Sequence, residues 1–187
     1  MHLRRLVALL ALVALGLVPV ALADSDDGGG SSARGDVTWA IPLPNDFGVH
    51  VDNVLDFRAT KSKKGRVRGR FHYEQTVEGE TFIFDVSVTC LAFYDSNRAK
   101  IGGVITRSND ATQPAGRFAW FQVFDLGRNR GGGDDDDDDD GGGTSGPADR
   151  SSLVGFGDEA ANEAFCNSPN LPRFGPWDVQ GNVQVRP

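Results

Sequence analysis

The chain has 187 residues, 39% of them hydrophobic, with 19 Lys and Arg against 26 Asp and Glu for a net charge of −7. That length and apolar share suit one domain with a packed core and leave no room for two ordinary ones. The acidic balance disfavours DNA, RNA and anionic membranes as partners, because Lys and Arg contacts to phosphate supply most of that affinity.

Residues 1–23 read as an export signal. Arg4 and Arg5 form a positive start, an apolar run extends from Leu6 to Ala21, and Ala21-Leu22-Ala23 offers an A-x-A cleavage site before Asp24. A spanning helix needs about 20 apolar residues, whereas this run is shorter and carries Gly16 and Pro19. No later segment is apolar enough to span, so no membrane span is expected after cleavage. Cleavage would remove two of the 19 basic residues and move the balance from −7 to −9. The expected location is extracellular. In that setting the only two cysteines, Cys90 and Cys166, are expected to form a disulfide. Closing so long a loop gives roughly 4 to 5 kcal/mol by the chain-entropy argument.

Residues 24–35, DSDDGGGSSARG, are Gly, Ser and Asp with little apolar content, and read as a flexible leader. Arg34-Gly35-Asp36 at its end matches an adhesion tripeptide, a pattern too short to carry weight.

From Asp36 the hydrophobic period becomes two, and residues 36–187 read as a single β-domain. Leu55, Phe57 and Ala59 alternate with polar residues, as do Val67, Gly69, Phe71 and Tyr73. The pattern continues in Phe82, Phe84, Val86, Val88 and Cys90, in Ala99, Ile101, Gly103 and Ile105, and in Ala119, Phe121, Val123 and Asp125. The basic segment Lys61 to Gly65, then Glu78-Gly79-Glu80, Asp95-Ser96-Asn97 and Asn109 to Gly116 read as turns. A last strand covers Gly181 to Val185. Seven or eight strands joined by short turns predict an all-β antiparallel meander curling into a small barrel, with a two-sheet sandwich as the alternative. One short C-terminal helix is expected from Asp158 to Phe165, capped by Asp158 and stopped by Pro169 and Pro172.

Between strands lies an Asp- and Gly-rich loop insertion at 131–146. Its carboxylates, Asp134, Asp135, Asp136, Asp137, Asp138, Asp139 and Asp140, are hard oxygen donors of the kind calcium uses. They lack the fixed spacing of a calcium loop, so at most loose cation binding is expected.

Other chemistry is sparse. His50 and His72 lie in predicted strands, with no third His or free Cys to complete a zinc site. Gly155-Phe156-Gly157-Asp158-Glu159-Ala160 fits G-x-G-x-x-A but lacks the βαβ context, and Asp158 would repel a pyrophosphate. No cofactor is expected. Trp39, Trp120, Trp177 and twelve Phe would fill a barrel interior or line a ligand cavity, with a filled core as the default.

A series of motifs runs in order: DVSVTCL at 85–91, Asn97-Arg98-Ala99, Ile101-Gly102-Gly103-Val104, FQVFDLG at 121–127, Pro147-Ala148-Asp149-Arg150, Cys166 and GNVQV at 181–185. In this order the chain resembles small exported proteins of high-GC Gram-positive bacteria, related to post-COAP-type domains, over residues 50–186. The resemblance implies one secreted all-β domain with a Cys90–Cys166 bridge, and no catalytic residue. Members of that group usually carry Asn-Gly where this chain has Leu126-Gly127, a departure that weakens a shared polar site there, and the Asp run falls as an insertion between the positions of Asp125 and Asp149.

The leading expectation is therefore a secreted, non-enzymatic binding or cell-surface module with a cell-wall, glycan or small-molecule ligand. Two alternatives stand beside it. One is a small-barrel enzyme using Asp85, Asp125 or His72, which requires those groups to converge. The other is cation binding by the Asp loop. Asp85, Asp125 and Asp149 form the candidate polar site.

Overall fold

The computed structural model describes residues 30–42, 50–127, 147–170 and 175–187. Six long strands follow one another: β1 (Ser31–Pro42), β2 (His50–Lys61), β3 (Val67–Val77), β4 (Glu80–Tyr94), β5 (Arg98–Ser108) and β6 (Phe118–Phe124). Short pieces β7 (Arg150–Ser151) and β8 (Gly155–Gly157) precede α1 (Glu159–Asn167), and β9 (Trp177–Asp178) and β10 (Gln180–Arg186) follow it. Every pairing is antiparallel, in the order β10-β1-β2-β3-β4-β5-β6-β7-β9, with β8 on β6. The sheet curls into a nearly closed barrel, the expected meander rather than a sandwich.

Period-two patterning dictates this curl. In β2 exposed and buried residues alternate strictly from His50 to Ala59, so one face must be covered. The covered face is the barrel interior. Phe121 sits there with its ring edge-on to Phe57 at 5.2 Å and Phe71 at 5.0 Å. Leu55, Phe84, Val86, Ile101 and Ile105 complete the packing. Toward one end Tyr73 donates to Asn53 Oδ1 at 2.7 Å, and Gln75 donates to the Tyr73 oxygen at 3.0 Å. Burial pushes the Tyr73 hydroxyl far above its ordinary range, so it stays a proton donor.

Turn chemistry sets the register. Glu78 and Gly79 both have positive φ, 53° and 84°, which gives the β3–β4 hairpin a two-residue turn matching strand twist. In the β5–β6 connection the Asn109 side chain accepts from Ile83 N at 2.7 Å and donates to Thr81 O at 2.9 Å, extending the edge of β4.

β1 begins at Ser31, inside the segment read as a flexible leader. Its first residues offer little apolar surface beyond Ala33, but the strand is bonded on both sides, to β2 and to β10. Ala33 is fully buried, and Arg34-Gly35-Asp36 is strand backbone rather than an exposed loop tip. Backbone pairing, which composition does not display, orders this stretch.

The pattern in β4 also departs from strict alternation. The register with β5 shifts between Val88 and Cys90, leaving Thr89 as an extra residue. This bulge turns Cys90 to the outer face and Leu91 inward. There Cys90 bonds Cys166 on α1, which packs outside the barrel against β4, β5 and β6. The Asp158 carboxylate caps α1 by accepting from Ala161 N at 2.8 Å. The helix runs two residues beyond Phe165, so Cys166 lies within it.

Candidate functional site

The predicted polar residues fall into two separate places. Asp125 and Asp149 sit at the barrel seam, where β10 has amides facing away from β1. Asp149, only 1% exposed, accepts from Leu126 N at 2.8 Å through one oxygen and from Val183 N at 2.9 Å through the other. Asp125 accepts from Val185 N at 3.0 Å. These carboxylates replace missing strand partners and join the end of β6 to β10. The Asp149 contact uses the Leu126 backbone, so it does not depend on the side chain at 126.

Asp85 lies on the outer face of β4 instead. Strand register places Asp56, His72, Asp85 and Arg107 directly opposite one another on β2, β3, β4 and β5. His72 Nδ1 is 2.6 Å from Asp85 Oδ1, and its Nε2 is 2.9 Å from Glu74 Oε1. Arg107 Nε meets the second Asp85 oxygen at 2.6 Å. The hydrogen bonds to Glu74 and Asp85 outweigh burial and hold the His72 pKa above its ordinary 6.5. The hydrogen bond from His72, helped by Arg107, outweighs burial and lowers that of Asp85. Both ring nitrogens thus face carboxylates. A His general base needs one nitrogen aimed at a nucleophile or substrate, and this arrangement leaves none.

The next row along the strands is basic. Arg34, Arg58 and Arg70 stand opposite one another on β1, β2 and β3. Between the two rows runs a groove of about 560 Å³ lined by Asp56, Arg58, Arg70, His72, Asp85 and Ser87. Thr106 forms a further part of its wall. A second register shift, between Asp85 and Val86, leaves Thr106 as the extra residue of β5 and turns it to the outside, where its hydroxyl donates to Asp85 O at 3.0 Å. Bulges re-aim side chains in this way at many binding surfaces.

His50, also on β2, lies 3.1 Å from Asp52, with both side chains more than half exposed. Asp134 through Asp140 lie outside the described residues. Among the described residues, no group of three His, Cys, Asp or Glu side chains is placed to hold a metal ion, and no helix is long and apolar enough to cross a membrane. The G-x-G at 155–157 has a packing role: a Cβ at Gly155 or Gly157 would come within 2.5 or 2.6 Å of the Trp120 indole, which lies across β8.

Sequence reasoning missed the basic row. Its signal was present as seven Lys and Arg without an Asp or Glu between Phe57 and Tyr73. The pattern marks Lys61 to Gly65 as a turn and Arg58, Arg66, Arg68 and Arg70 as polar positions of the flanking strands, without showing that Arg58 and Arg70 stand opposite each other.

Fold and site define an antiparallel β-barrel domain stapled by one disulfide, with a charged groove on its outer face. No family model, curated protein or solved structure matches the chain.

Proposed function

We propose that the chain is an exported, non-enzymatic binding module whose ligand lies along the outer groove of β2–β5 rather than inside the barrel. One observation carries this reading. The interior is filled by Phe57, Phe71 and Phe121 in edge-to-face contact, while the outer groove presents charged and hydroxyl side chains to solvent. Binding sites are concave and combine such converging polar groups. The double carboxylate clamp on His72 supports binding over acid–base catalysis. The disulfide suits an oxidising compartment, in keeping with the export-like N-terminus and the resemblance to secreted β-domains.

The test is an amide chemical-shift titration of the full chain with soluble glycans and cell-wall fragments. Shifts confined to outward-facing residues such as Arg58, Arg70 and Ser87 are the expected result. Shifts centred on interior residues such as Leu55 and Phe121, or chemical conversion of a probe, would overturn it.

A further inference from the structure

We propose that the groove takes an acidic polysaccharide, with its carboxylate or sulfate groups on the row Arg34–Arg58–Arg70 and its hydroxyls on Asp56 and Ser87. This rests on the binding-module reading above and names its ligand class. The first ground is charge placement. A chain with net charge −7 gathers seven of its 19 basic residues between Phe57 and Tyr73 with no acid among them. Folding then aligns two of these, Arg58 and Arg70, with Arg34 across adjacent strands about 4.8 Å apart, a row of roughly 10 Å.

The second ground is that the row has no anion within the described structure. Like charges directly opposite each other in a sheet destabilise it. Arg34 directs Nε and a terminal nitrogen to the neutral Gln184 oxygen, at 2.9 and 2.6 Å. Among the described residues Arg58 and Arg70 form no ion pair, although Asp36 and Asp56 stand opposite each other on the neighbouring row. An incoming anion would relieve this repulsion and form charge-assisted hydrogen bonds with the guanidinium forks.

The third ground is the neighbouring row. Asp85 is committed to His72 and Arg107, but Asp56 faces the groove with no ion-pair partner among the described residues. A carboxylate beside arginines repels a second line of charge and accepts hydrogen bonds from hydroxyls. That combination fits a polymer carrying spaced anions among hydroxyl groups. It disfavours nucleic acid, whose phosphates are dense and whose affinity comes from neutralising many of them.

The experiment titrates the full chain with polygalacturonate and dextran sulfate. Methyl-esterified polygalacturonate, unmodified dextran and single-stranded DNA serve as comparisons. Both acidic polymers should bind, more weakly at high salt, and shift the groove residues, while the neutral forms should not. The double variant Arg58→Gln/Arg70→Gln should lose at least about tenfold in affinity, the equivalent of one charge-assisted hydrogen bond. It should melt no lower than the parent, since opposed charges are removed. Failure of both acidic polymers to bind, or equal binding by the variant, overturns the proposal. So does a lowered melting temperature in the variant, which would make the row structural. Equal or tighter binding of single-stranded DNA overturns the polysaccharide assignment. Binding of the neutral polymers in the groove, untouched by the variant, would overturn the anionic ligand while leaving the binding-module reading intact.

Discussion

At the scale of single residues, His72 makes the fold respond to pH from both sides. Its raised pKa means that its contribution is complete below 6.5 and is lost as pH climbs through the folded-state value. The lowered pKa of Asp85 means the reverse: its contribution is complete above 3.8 and is lost as pH falls through the folded-state value. Thermal unfolding followed against pH should therefore show this pair at full strength between those values. His72→Asn should flatten the loss on the alkaline side. The side chains are about one third exposed, so solvent screening keeps the effect below about 1 kcal/mol. Asp149 presents a contrasting case. It is buried and serves two backbone amides with one carboxylate. Asp149→Ala should lower unfolding stability by about 3 kcal/mol, because two donors lose a charged acceptor. A change within about 0.5 kcal/mol in denaturant melts, typical of a bland surface site, would show that the seam closes without it.

At the scale of elements, α1 depends on a lysine from another strand. Its last turn holds no basic residue. Lys100 of β5 reaches under it and donates to Phe165 O, Ser168 O and Asn170 O at 3.1, 2.6 and 2.8 Å. The same ammonium lies 4.5 Å from the Phe165 ring centre. Lys100 thus supplies the positive charge that a helix C-terminus favours. Lys100→Met should cost about 2 to 3 kcal/mol and raise amide exchange in Glu159–Asn167 more than in β2. Uniform exchange across both elements would argue against a local clamp.

Strands, turns and helix were legible because each rests on local pattern: alternation in β2, the Glu78-Gly79 turn, the Asp158 cap. What stayed hidden depends on partners distant in the chain. Lys100 occupies an outward strand position and gave no sign that a helix would cover it. Thr89 looks like an ordinary outward residue, and only the register against β5 makes it a bulge that redirects Cys90. The first half of β1 has no pattern of its own and is held by its two neighbours. The site was partly legible. Asp85 and His72 were named, but their meeting across β3 and β4 was not. Asp125 and Asp149 were read as candidate chemistry and act as structural acceptors. Charge counting finds the basic run, whereas alignment of Arg34 with Arg58 and Arg70 requires the register of three strands.

At the scale of the whole molecule, the barrel divides its labour. Apolar side chains fill the inside, the disulfide and Lys100 fix a helix to one flank, and charged rows occupy the outer surface of β2–β5. The groove therefore rests on long strands, each paired on both sides. A surface supported this way loses little entropy when a ligand docks.

The pairing of β1 with β10 also governs when the molecule can be finished. Ser32 lies opposite Arg186, and Thr38 opposite Gln180, so β1 finds one of its two neighbours only after β2 to β9 have been made. A nascent chain can build hairpins β2–β3 and β4–β5 as they emerge, but β1 keeps an open edge throughout, and open edges recruit foreign strands. Chains truncated before Gln180 should accordingly bind chaperones or aggregate, and restoring residues 180–186 should trigger closure in a single late step.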